Sequence, residues 1–285
     1  MSVPRADRLL SVRDLSVSFG RDQRPVLDRV SFDIAPGQRL GLIGESGSGK
    51  SLTALSVMGL LPEAAASTGS IRWRDTELLG RSDRYLARLR GADLGMIFQE
   101  PMTALDPTMR VGRQVAEVIR LHRPGRDESP REQVQHFLSA VGLADPTRVA
   151  NSYPHQLSGG QRQRVVAAMA MANSPALLIC DEPTTALDVT VQARLLAMID
   201  DVLTAEQAAC LFISHDLAVV AQVCSFVLVM LGGRVVDAGP VEQLFGAPAH
   251  PYTAGLVATS RLDRVEPGQR LPVLSDFYPG AQVAP

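Results

Sequence analysis

Arg39-Leu40-Gly41-Leu42-Ile43-Gly44-Glu45-Ser46-Gly47-Ser48-Gly49-Lys50-Ser51 is the stretch on which the reading of this chain turns. It opens with a short apolar run of strand character and ends in Gly44 to Ser51, which fits G-x-x-x-x-G-K-[ST]. Helical periodicity follows from Ser51 to Leu61. Strand, glycine-rich loop and helix in that order are the context in which such a loop cradles phosphate. Its glycines let successive N–H groups curl around an anion, and the helix adds its positive end. Lys50 is the only lysine among 28 basic residues, the rest being arginine. A compact ammonium fits against phosphate oxygens in a narrow loop where a planar guanidinium is too broad. The Ser51 hydroxyl is placed to meet Mg²⁺.

Composition around this stretch is that of an ordinary globular chain: 285 residues, 46% apolar and 20% charged, with a net charge of −2. Nothing global advertises a nucleic-acid partner. Three widely spaced cysteines, Cys180, Cys210 and Cys224, sit in apolar runs without a Cys-x-x-Cys, and read as buried thiols of a reducing compartment. The start, MSVPRADRLLSV, offers no secretory apolar region, so the expected location is cytoplasmic. Leu217 to Gly233 is uncharged for 17 residues, the short limit of a membrane span, but Gln222 and Ser225 interrupt it. FVLVML (Phe226 to Leu231) reads instead as a buried strand ending in a Gly232-Gly233 turn.

Further strand candidates are Leu10 to Phe19, in period two, and the buried runs Ala176 to Cys180 and Cys210 to Ser214, with a helical segment at Val189 to Ala205. This alternation predicts an α/β fold with a mostly parallel sheet. Between Val111 and Val141 the apolar positions take helical spacing on either side of the Arg123 to Pro130 link, marking a helical insertion. From Pro248 onward the sequence is Pro-punctuated and predicts a short helix and a loose tail.

The apolar run ending in Asp181-Glu182 supplies the acidic end of a strand, where ligands of parallel sheets bind. Asp181 is suited to hold Mg²⁺ through water, and Glu182 to polarise a water that attacks the γ-phosphate of ATP. Leu157-Ser158-Gly159-Gly160-Gln161 is a second glycine-bearing segment leading into a helix at Arg162 to Ala172, hence a second anion site. Two cradles for one polyphosphate tail are reconciled by a head-to-tail dimer, with each ATP clamped between Gly44 to Ser51 of one subunit and Ser158, Gly159, Gly160 and Gln161 of the other.

LSGGQ is the signature of the ATP-binding cassette (ABC) ATPases, and the chain resembles that family over nearly its whole length. Gln99, after the strand LGMIF, resembles the Q-loop glutamine that touches Mg²⁺ and the attacking water. Thr185-Ala186-Leu187-Asp188 resembles the D-loop, and His215, after LFIS, resembles the switch histidine at the γ-phosphate. Phe19 falls where the family places an aromatic under adenine. The resemblance implies a P-loop NTPase ABC cassette. It would have a RecA-like core (residues 1–99 and 165–247), an N-terminal antiparallel β part, an inserted helical subdomain (100–164) and a short C-terminal extension (248–285).

MGLLP (Met58 to Pro62), QEPMTALDP (Gln99 to Pro107) and AHPYT (Ala249 to Thr253) are similar to segments of the oligopeptide, dipeptide and nickel importer ATPases. His250 and Tyr252 of the last segment read as a structural anchor of its helix. Relatives with a cysteine cluster in this extension hold an iron–sulfur centre; with no cysteine beyond Cys224, none is expected here. The resemblance implies an ATPase using ATP and Mg²⁺ at the cytoplasmic face of the cell membrane, dimerised with a second ABC ATPase, either a paralogue, as in the peptide-importer relatives, or a second copy of the chain. Its other partners would be two transmembrane permeases and, indirectly, a solute-binding protein, with no nucleic acid. Peptide is the expected solute; nickel or another small solute, an exporter and a soluble ABC ATPase are the alternatives.

Overall fold

The glycine loop Gly44 to Ser51 grows out of the strand Arg39–Ile43, which is buried from Leu40 to Ile43. In the computed structural model, residues 8–20, 24–99, 104–122, 129–185, 188–260 and 273–278 are described. Ala186 and Leu187 of the expected D-loop, residues 100–103 of the QEPMTALDP segment, most of the Arg123 to Pro130 link and most of the tail lie outside the described residues. The chain divides by its contacts into two units, one of residues 1–35, 39–79 and 212–285, the other of residues 36–38 and 80–211.

The first unit contains an antiparallel sheet in the order β2-β1-β4-β5, formed by β1 (Leu10–Phe19), β2 (Pro25–Ile34), β4 (Ala65–Trp73) and β5 (Thr76–Glu77). In β1 the side chains of Leu10 and Val12, then Leu15 and Val17, are buried, a period-two pattern that skips one residue at the irregularity around Asp14, where φ is 46°. β3 (Arg39–Ile43) runs parallel to β9 (Phe226–Leu231), and β9 pairs antiparallel with β10 (Arg234–Pro240). Gly232 and Gly233 both take positive φ, 53° and 80°, as the tight turn between β9 and β10 requires. α1 (Lys50–Met58) follows the loop and stops at Gly59. There the N–H groups of Gly59 and Leu60 donate to Ser56 and Leu55 across a left-handed cap.

The uncharged run from Leu217 is broken into α8 (Leu217–Val223) and β9. Among the described residues no helix is long and apolar enough to cross a membrane. α9 (Val241–Gly246) and α10 (Pro251–Ser260) complete the unit. Leu274–Asp276 forms a 3-10 turn that packs on α10, where a Cβ on Gly255 would lie 2.5 Å from Leu274 Cδ1.

In the second unit β6 (Leu94–Ile97) runs parallel to β7 (Leu177–Asp181), and every residue of both strands is buried, as expected of a sheet covered on both faces. β8 (Ala209–Ser214) starts beside β7, with Ala209 N–H donating to Ala176 C=O at 2.9 Å, and its last three residues belong to the first unit. Helices α2 (Asp83–Leu89), α3 (Val111–His122), α4 (Pro130–Ala140), α5 (Pro146–Asn151), α6 (Gly159–Met171) and α7 (Val189–Ala205) fill out the unit. α3 buries Val111, Gln114, Val115 and Ile119, one face of a helix. Gln114 is the polar exception. Its amide donates to the carbonyls of Asp106 and Met109 and accepts from Asp106 N–H, so it pins the segment entering α3. The three cysteines are buried thiols.

Candidate functional site

In the first unit, Gly44 to Ser51 wraps around its own backbone. A Cβ on Gly44 would lie 2.3 Å from the Met230 carbonyl oxygen, so no side chain fits there. Gly47 and Gly49 take φ of 79° and 100°, a region that side-chain-bearing residues avoid. The loop is braced from outside by the β9–β10 turn, where Gly233 N–H donates to Ser48 C=O at 3.2 Å. Gly49 then caps α1, so the loop delivers the chain into a helix N-terminus.

Lys50 is 5% exposed, and its Nζ donates to the carbonyls of Gly44 at 2.8 Å and Glu45 at 2.9 Å. The ammonium is thus folded over the cradle. Ser48 Oγ is buried and finds no hydrogen-bond partner among the described residues. An unsatisfied buried hydroxyl beside a ring of glycine backbone fits an anionic ligand with oxygen acceptors. Glu45 N–H donates to the Tyr252 hydroxyl at 3.0 Å, a contact that joins the loop to α10. Burial pushes the Tyr252 hydroxyl up to about 12, so it stays protonated at any ordinary pH.

Phe19 closes β1, half-buried and opposite Ala65. His215 stands exposed just after β8, followed by Asp216, whose carboxylate accepts from Ala218 and Val219 N–H and caps α8. A cavity of about 370 Å³ has in its wall His215, Ile43 (the last residue before the loop), and Leu256, Thr259 and Ser260 of α10.

In the second unit, Asp181 ends β7 and Glu182 follows in a left-handed conformation, φ 47°. Both are buried. The cost of such a backbone for a non-glycine residue, about 1 kcal/mol or more, is a feature of residues whose orientation matters. Glu182 Oε2 accepts from Thr185 Oγ1 at 2.9 Å and from Gln99 Nε2 at 3.4 Å. The structure therefore brings together Gln99 and Glu182, which are separated by 83 residues, and adds Thr185, whose part in orienting the carboxylate the sequence reading did not anticipate.

The LSGGQ segment differs from its expected form. Instead of a glycine loop ahead of a helix at Arg162, α6 already begins at Gly159, and both glycines occupy its first turn. Ser158 is the cap: its Oγ accepts from Gln161 N–H, while Gln161 Oε1 accepts from Ser158 N–H. The reciprocal pair lets the helix start about one turn before Arg162. Gly160 also lets α6 lie close to α7, since a Cβ there would lie 2.9 Å from Val191 Cγ1. Asp188 caps α7, its carboxylate accepting from Val191 N–H at 3.0 Å.

Residues 27–185 match the family model described as ABC transporter. Over 97% of its length the chain is 46% identical to the oligopeptide transport ATP-binding protein OppD of Mycobacterium tuberculosis (strain ATCC 25618 / H37Rv), and it covers 47% of that protein. It is 46% identical over 98% of its length to the probable peptide ABC transporter ATP-binding protein y4tR of Sinorhizobium fredii (strain NBRC 101917 / NGR234), covering 84% of it. A third relative is the dipeptide transport ATP-binding protein DppD of Haemophilus influenzae (strain ATCC 51907 / DSM 11121 / KW20 / Rd), 42% identical over 95% of the chain and 83% covered. The chain thus spans just under half of the first relative and most of the other two. Among solved structures, a dimeric post-hydrolysis state of the ATP-binding cassette MJ0796 bound to ADP and Pi superposes with a TM-score of 0.73 at 23% identity, covering 81% of this chain and 98% of that one. That likeness establishes an ABC-cassette fold.

Proposed function

Because the chain belongs to the ABC transporter family, we propose that it is the ATP-hydrolysing subunit of an importer for di- or oligopeptides, working with separate permease subunits at the cytoplasmic face of the membrane. The observation that carries this reading is the glycine cradle at Gly44 to Ser51, with Lys50 folded over it and the unpartnered Ser48 hydroxyl within it. Relatives named for oligopeptide and dipeptide transport support the peptide class.

In this reading the backbone N–H groups of the cradle and the α1 N-terminus hold the β- and γ-phosphates, and Lys50 exchanges its two carbonyl partners for phosphate oxygens. Phe19 would stack against adenine, and Ser51, Asp181 and Gln99 are the residues that would hold Mg²⁺. When bound, the ion offsets charge on the phosphate oxygens. Glu182, with its carboxylate oriented by Thr185 and Gln99, takes a proton from the attacking water, and His215 contacts the γ-phosphate. Ser158, Gly159, Gly160, Gln161 and Asp188 serve the ATP of a second ATPase subunit, most simply a paralogue, in a head-to-tail dimer. Closing and opening of that dimer drive two permease subunits fed by a solute-binding protein.

Purification of the tagged chain from its native membrane tests this directly. A second ATPase, two permeases and a solute-binding protein should co-purify, and the assembly should take up labelled peptide when supplied with Mg-ATP. Recovery with nucleic acid, or export in place of uptake, refutes it.

A further inference from the structure

Glu45 is gripped from both sides: Lys50 Nζ donates to its carbonyl at 2.9 Å, and its N–H donates to the Tyr252 hydroxyl at 3.0 Å. The two grips differ in kind. Lys50 is a ligand of the phosphates in the proposed function and must leave the carbonyl to reach them, whereas Tyr252 has no reason to move. Tyr252 is fully buried at the start of α10, and a chain of contacts fixes it there. Its N–H donates to His250 Nδ1 at 3.1 Å, and His250 N–H donates to Asp237 Oδ2 at 3.0 Å. The Tyr278 ring meets the Tyr252 ring edge-on at 6.1 Å.

We infer that Tyr252 is a positioning residue for the nucleotide: its hydroxyl holds the Glu45 peptide in place when Lys50 turns to the phosphates, so that the C-terminal segment keeps the phosphate loop preformed. This rests on the nucleotide-binding reading of Gly44 to Ser51. Preorganisation of this sort raises affinity by removing the cost of ordering the loop on binding. The loss of one such hydrogen bond corresponds to about a 3- to 10-fold loss of affinity.

The experiment compares Tyr252→Phe, Tyr278→Ala, Lys50→Ala and the parent, all as full chains, by Mg-ATP titration, unfolding without nucleotide, and amide hydrogen exchange. Tyr252→Phe keeps the ring and removes only the hydroxyl, and with it the acceptor of the Glu45 N–H. Its Mg-ATP dissociation constant should rise about 3- to 10-fold, and exchange should quicken at the Glu45 amide without quickening through α10. Tyr278→Ala, which loosens the packing on α10 but leaves the hydroxyl, should lower the unfolding midpoint with an unchanged dissociation constant. A purely structural Tyr252 would make the two variants behave alike, which overturns the inference, as does Tyr252→Phe binding Mg-ATP like the parent. If Tyr252→Phe does not fold, exchange in the parent decides: a Glu45 amide as slow as those of β3 supports the inference, and a fast one refutes it. Should Lys50→Ala bind Mg-ATP as the parent does, the nucleotide reading fails and this inference with it. Loss in Lys50→Ala with none in Tyr252→Phe removes this inference alone.

Discussion

The ammonium of Lys50 lies 2.8 Å from the carbonyl oxygen of Gly44, the residue that opens the loop which Lys50 closes. The side chain is buried, and the Glu45 carbonyl is a second acceptor for its ammonium at 2.9 Å. A cation in this position is ready to be handed to an incoming anion.

Lys50→Met should leave the fold intact and weaken Mg-ATP binding by about 10- to 100-fold, the worth of a charge-assisted hydrogen-bond set. Lys50→Arg should fail as well, because a planar fork cannot occupy the space between two carbonyls 2.8 and 2.9 Å from one nitrogen. Calorimetric titration of the purified chain reads both. Lys50 is also the only lysine, so an amine-selective reagent has a single side-chain target, and saturating Mg-ATP should slow its labelling.

Glu182→Gln should retain Mg-ATP binding within a few-fold and lose turnover by about 100-fold or more, the usual range for a general base. The amide keeps the volume of the carboxylate and still offers an oxygen to Thr185 and Gln99. Steady-state hydrolysis in the assembled transporter is the measurement; undiminished multiple turnover would remove Glu182 from its role.

Asp188 has a structural task that can be separated from any part in hydrolysis. Asp188→Ala should cost about 1 kcal/mol of unfolding free energy by uncapping α7, and Asp188→Asn should recover most of it. If ATP turnover falls in Asp188→Asn while stability is kept, the carboxylate acts beyond its cap.

Tyr252 makes stability depend on alkaline pH. In the unfolded chain its hydroxyl ionises near 10, while the folded environment keeps it protonated to about 12. Between those values the unfolded chain releases a proton that the folded chain retains, so stability falls as pH rises, by up to about 1.4 kcal/mol per unit. Tyr252→Phe lacks this loss. The stability difference between parent and variant, measured by denaturant unfolding, should shrink from pH 10 to pH 12.

Much of this was legible in the chain because it is written locally. β1 and α7 fall on the residues that periodicity gives, Leu10–Phe19 and Val189–Ala205, and the Gly232-Gly233 turn follows from two adjacent glycines. The start of α6 is hidden in the sequence because a glycine pair weighs against helix, whereas the Ser158–Gln161 cap outweighs that preference. Gln114 gave no signal at all: a glutamine on an apolar helix face looks like a surface residue until the carbonyls it satisfies are placed around it.

The sequence by itself determined the glycine loop Gly44 to Ser51 and the acidic strand end, since their geometry arises from glycines and caps within a few residues of one another. It also determined the family, through the order of those segments. Only the tertiary structure decided that Thr185 and Gln99 share one carboxylate oxygen of Glu182, and that the hydroxyl which holds the Glu45 peptide comes from Tyr252, 207 residues further along the chain. A backbone N–H has no residue type to announce its partner. That choice is made by packing, once burial leaves a single acceptor within reach.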